Sequence, residues 1–179
     1  MKKSIVEKFS FVLCFIEKGI TSFFFVIMLS LIILQVVSRY YLHWPLAWTE
    51  ESIRYMFIVA SFLGAAAAVG SREHIEINIL PSILKAAKMK IKAQEIFLGV
   101  TDSLIYIVGV LFWAFITSQM YGYMLNVKSM NQVSIAMQLS LWILVLVIVI
   151  SGGLCCLHYF LNLVIQMQKF FGKGEQVNG

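Results

Sequence analysis

Charge is scarce in this chain, and its absence is organised. Only 13% of the 179 residues are Asp, Glu, Lys or Arg. None of them falls between Lys18 and Arg39, Arg54 and Arg72, Asp102 and Lys128, or Lys128 and Lys169. A helix needs about 18 or more apolar residues to cross ~30 Å of hydrocarbon, and buried helices of soluble proteins are rarely uncharged over such lengths. The chain is 60% hydrophobic with a mean hydropathy of +0.87, against roughly 45–50% apolar residues in soluble domains. A water-soluble fold could not cover that surface.

Other absences narrow the chemistry. A nucleophile with its base, a P-loop, a Gly-rich dinucleotide turn and a metal-ligand cluster are all missing from the sequence, so neither catalysis nor ATP-driven work has residues to rest on. The three cysteines form no CxxC pair: Cys14 stands alone, and the adjacent Cys155 and Cys156 point about 100° apart on a helix. They read as apolar filler. No uncharged stretch carries an ionisable residue at mid-depth, which a carrier of protons or charged substrates usually places beside its pathway. By itself the chain is a poor transporter.

What is present is an all-α membrane protein: four transmembrane helices with short amphipathic interfacial helices and both termini cytoplasmic. The spans are predicted at about 19–38, 55–71, 103–126 and 139–165, within a single membrane domain over residues 1–179. The last uncharged stretch is too long for one span, so its polar opening, Ser129 to Gln138, is predicted as loop or re-entrant. The first segment reads as an anchor: Lys2, Lys3 and Lys8 lie far from its apolar core, and Ser38-Arg39-Tyr40 is not a small-residue cleavage site. Lys and Arg accumulate on the cytoplasmic side. With both termini inside, only Arg39, Arg54 and Lys128 of the 14 basic residues face out. The net charge of +5 then reflects topology and anionic lipid, with no nucleic-acid partner required.

Residues 4 to 18 mix apolar and charged positions at helical spacing and read as an amphipathic lead-in on the inner membrane surface. Tyr40, Tyr41, Trp44 and Trp48 suit the outer membrane–water boundary. Thr49 is expected to cap the second helix, with Glu50 and Glu51 complementing its positive end, and Arg54 to be held by one of these carboxylates at (i, i+4) or (i, i+3). Ala60, Gly64 and Ala68 recur every fourth residue, the small-residue stripe that lets another helix approach closely in lipid, whether from this chain or a partner. Beyond Arg72, residues 74 to 79 alternate polar and apolar as an extended segment does, until Pro81. Residues 82 to 101 read as a basic cytoplasmic interfacial helix.

Histidines raise a second possibility, because paired histidines on two spans can ligate haem in the membrane anchor of a respiratory oxidoreductase. His43 and His74 fall in loops, however, and His158 beside Tyr159 at the inner end of the fourth span reads as an interfacial side chain.

Taken in order, Arg39-Tyr40, Trp48-Thr49-Glu50-Glu51, Arg54-Tyr55, Phe62-Leu63-Gly64-Ala65-Ala66 and His74-Ile75 before Leu80 form a recognisable pattern. It resembles the small membrane subunit, the DctQ type, of tripartite ATP-independent periplasmic (TRAP) transporters. Asn78 stands where members often have an acidic residue. The resemblance implies a non-catalytic scaffold subunit in a bacterial inner membrane, partnering a large transport subunit that carries the pathway. A periplasmic substrate-binding protein would deliver an organic acid. Sodium coupling would belong to the large subunit, with no cofactor in this chain. It further implies that Arg39, Trp44, Trp48, Glu50, Glu51, Arg54, Ala60, Gly64, Ala68 and His74 lie at partner interfaces.

Overall fold

Long proline-free runs of Leu, Ile, Val, Met and Phe leave the backbone one economical way to satisfy its polar groups in lipid, by hydrogen bonding within each segment. The computed structural model describes residues 5–44, 46–71 and 91–175. It contains four long helices: α1 (Ile5–Tyr40), α2 (Ala47–Gly70), α3 (Ile91–Ser129) and α4 (Leu141–Glu175). All four are long and apolar enough to cross a membrane. Among the described residues the remaining ordered pairing is one isolated antiparallel bridge, Val133 with Ser140.

The helices stand in a row. α1 packs along α2, α2 along α4 and α4 along α3; α1 reaches α4 only marginally, and α1 and α3 do not meet. Helices α2 and α4 are therefore central, and α1 and α3 flank them with broad apolar faces turned outward. The α1–α2 and α3–α4 loops share one end of the row, called here the loop side. The contacts of Cys14 with Ala67 and of Asn162 with Val69 mark the opposite, terminal side.

Small residues set the spacings. Gly64 faces Thr21 of α1, whose methyl group lies 3.4 Å from where a Cβ would stand, and Ala60 beside it is buried. The stripe on α2 thus meets a span of its own chain. Between α3 and α4 the fit is reciprocal: the Tyr159 ring occupies the notch at Gly109, and Thr117 occupies the notch at Gly152. Either Cβ would fall 2.5 Å from its neighbour, so these glycines are required by close approach alone.

Several expectations change here. The segment up to Lys18 is not a separate surface helix but continues into the first span as one helix, because no proline interrupts the backbone hydrogen bonding and Gly19 alone does not break it. Residues 91–101 are likewise continuous with α3, while residues 82–90 and His74 lie outside the described residues. Helix α2 starts at Ala47, with Leu46 as an N-cap that supplies no side-chain hydrogen bond. Thr49 is fully buried in the first turn and donates its hydroxyl back to the Leu46 carbonyl at 2.7 Å. It is a donor within the helix, not its cap. The loop expected from Ser129 to Gln138 is found at residues 130 to 140, with helix resuming at Leu141; Asn131 and Gln138 take positive φ there, the left-handed region that asparagine in particular tolerates.

Candidate functional site

Two polar constructions interrupt an otherwise apolar molecule. The first lies on the terminal side, where α1, α2 and α4 converge. Glu17 of α1 and His158 of α4 are 2% and 0% exposed. The Nε2 of His158 stands 3.0 and 3.1 Å from the two carboxylate oxygens of Glu17. Protonated at Nε2, the ring donates to the carboxylate. The backbone of Gly70 forms the floor beneath the imidazole: a Cβ there would lie 2.7 to 3.0 Å from three ring atoms. One turn further along α4, Asn162 donates to the Val69 carbonyl at 3.1 Å, tying α4 to the last turn of α2, where carbonyls need donors from outside the helix. Cys14, on the turn before Glu17, donates to the Ala67 carbonyl at 3.3 Å.

His158 was expected at the membrane interface, and Glu17 on a surface helix. Both are interior, because their helices turn their polar stripes inward. On α1 the stripe runs Ser10, Cys14, Glu17; on α4 it runs Ser151, Cys155, His158, Asn162; all are buried. A 3-and-4 spacing of small and polar residues in a span is the signal that could have revealed them, since polar groups in a bilayer turn towards protein.

The second construction is on the loop side. One oxygen of Glu51 accepts from the Tyr55 hydroxyl at 2.7 Å, and the other accepts from the backbone amides of Ala136 and Met137 at 2.9 and 3.0 Å. Ser52 adds a hydroxyl contact to the Met137 sulfur at 3.1 Å. The turn between α3 and α4 is thereby clasped onto the start of α2, with Ile135 at its tip 93% exposed. The expected partner of this carboxylate was Arg54. Arg54 and Glu50 are instead exposed, and neither Glu50 nor Glu51 forms an ion pair with Arg54. Two converging amides fix the carboxylate more rigidly than one long cationic side chain would.

The other candidate residues are scattered. Arg39 is exposed at the end of α1. Trp44 and Trp48 are 70% and 44% exposed, although the Trp44 carbonyl accepts from the hydroxyl of buried Ser38, closing the α1–α2 loop. Ala60, Gly64 and Ala68 line one side of α2, with Ala68 half-buried. Among the described residues no three His, Cys, Asp or Glu side chains group as a metal site.

The clasp yields a test. Glu51→Ala is expected to expose the amides of Ala136 and Met137 to solvent exchange, raising their rates at least tenfold while the α4 amides stay protected. Unchanged protection at both positions would show that the turn holds its own shape.

Four helices long and apolar enough to span a membrane, with side-chain chemistry directed to joining them, define a helical multi-pass membrane subunit. The comparisons agree. The family of tripartite ATP-independent periplasmic transporters, DctQ component, matches residues 28–169, and the chain belongs to it. A sialic acid TRAP transporter permease protein, SiaT, of Haemophilus influenzae strain 86-028NP is 30% identical over 69 residues, which is 38% of this chain and 11% of that protein. A protein assigned as a TRAP transporter small permease in Haemophilus influenzae strain Rd is 33% identical over 81 residues, 45% of this chain and 47% of the relative. The chain thus spans less than half the length of either relative. As a TRAP permease component it is a multi-pass protein of the inner membrane, in a family of transporter parts rather than enzymes.

Proposed function

We propose that this chain is the scaffold subunit of a secondary transporter, partnering a large membrane subunit that carries the substrate pathway, with a periplasmic protein delivering an organic acid and a sodium gradient driving uptake. The observation that carries this reading is the family match, which extends across parts of all four helices. The polar side chains support it: Glu17, His158 and Asn162 are spent on joining helices, and Glu51 on holding a loop. A static partner that enlarges the membrane-embedded body needs such joints. The sialic acid named for one relative is itself an organic acid, in keeping with the substrate class. His158 commits Nε2 to Glu17, an arrangement that serves helix joining and not the alternative of a haem-bearing respiratory anchor.

Proteoliposomes holding this chain and the large subunit should take up an organic acid only with a binding protein and an inward sodium gradient. Uptake by either membrane subunit alone, at the rate of the pair, would overturn the scaffold role.

Orientation follows from the basic residues. Ser129→Cys should be labelled from the periplasm by an impermeant thiol reagent, and Ala87→Cys should not. The reverse pattern would invert both termini.

A further inference from the structure

The outward face of α3 carries a long polar side chain that lipid does not suit. Gln119 is exposed, on a helix whose contacts with other helices are all with α4. At 1.5 Å per residue it lies about 14 Å along the axis from Lys128 and about 26 Å from Asp102. Those two charges bound the uncharged part of the span, so the carboxamide is well inside the hydrocarbon and too short to reach either interface. No hydrogen bond to Gln119 is found among the described residues. The side-chain amide of Asn162 on α4 is by contrast buried and bonded to Val69. Around Gln119 the face is made of Val108, Phe112, Phe115 and Tyr123, all more than half exposed. One turn on, Gly122 leaves open space where a Cβ would stand, room for a neighbouring backbone.

We infer that the Val108–Phe115–Gln119–Tyr123 face of α3 is a docking surface for a transmembrane helix of the large subunit that presents a hydrogen-bonding group to Gln119. This rests on the proposed function for the identity of the partner. The surface itself follows from the carboxamide: in hydrocarbon its two donors and its acceptor have no water to bond, and a polar side chain from a neighbouring helix is the remaining source. The aromatic rings on either side exclude lipid tails from the bond, and the bare surface at Gly122 allows close approach.

The test uses the co-expressed pair in native membranes. A photo-crosslinking amino acid at Gln119 should link to the large subunit, and Gln119→Leu should reduce large-subunit retention in detergent roughly three- to tenfold, the range expected for one interhelical hydrogen bond. The melting temperature of the isolated chain should not change, because Gln119 makes no hydrogen bond among the described residues. Crosslinks to lipid or to a second copy of this chain, with the wild-type pair still co-purifying, would overturn the docking surface alone. Full retention by Gln119→Leu would do the same. Failure of the wild-type chain to retain the large subunit would overturn the scaffold reading and this surface with it.

Discussion

Replacing His158 with leucine is expected to be among the most damaging single changes in the chain. The substitution leaves the Glu17 carboxylate buried at the α1–α4 contact with no partner. Breaking a buried charged pair from one side costs on the order of 3–5 kcal/mol, against about 1 kcal/mol for an ordinary interhelical hydrogen bond in a bilayer. Glu17→Ala should cost less, since the group it leaves behind is an imidazole and not an unpaired carboxylate. The double variant Glu17→Leu/His158→Leu should recover most of the loss, because two apolar side chains facing each other leave nothing unsatisfied. Unfolding in detergent, followed by tryptophan fluorescence, would measure all three. A single His158→Leu variant that unfolds with the wild-type protein would show that the 3.0 Å contact contributes nothing. Equal losses in the single and double variants would mean that packing on Gly70, not the pair, is what matters.

Gly152→Leu should have the second large effect, by a different route. Among the described helices α3 touches only α4, so whatever separates these two loosens its hold on the rest. At position 152 even a methyl group would meet the Thr117 hydroxyl at 2.5 Å, with the Trp113 ring at 3.8 Å behind it. Thr117 has at most two χ1 settings on a helix, and a leucine needs more room than a change between them releases, so the helices are expected to part. Overpacking of this kind costs about 1–3 kcal/mol even for small increments. The readout is proximity: with Val110→Cys introduced, a short bifunctional thiol reagent should bridge to native Cys156, whose sulfur lies 3.9 Å from the Val110 carbonyl. Gly152→Leu should cut that yield about tenfold. Gly153→Leu is the control, since Gly153 faces open space and should crosslink like the parent. Equal yields from the two variants would mean that the notch at Gly152 does not set the α3–α4 distance.

Both effects arise where linear reading has least purchase. The number of spans and their apolar cores are local properties, recorded in runs of uncharged residues long enough to cross a bilayer, and they were legible. So was the small-residue stripe through Gly64, because spacing alone puts those residues on one face. The clasp at Glu51 was legible only as a carboxylate in need of a partner. Arg54 is its nearest cationic neighbour along the helix, but the amides that bind it come from Ala136 and Met137, on a loop whose position depends on how α4 packs against α2 and α3.

The sequence by itself determined that this protein lives in a membrane, that it crosses four times and that its family is that of TRAP small subunits, because each rests on composition, hydrophobic run length or residues close together in the chain. Only the tertiary structure decided that the helices stand in the order α1, α2, α4, α3 and that Glu17 meets His158. It also showed that α3 has a broad face which none of the other described helices covers. The physical reason is that lipid removes the hydrophobic drive for helices to choose their neighbours. The choice then falls to a few small and polar residues far apart in sequence, whose pairings cannot be read until the helices are side by side.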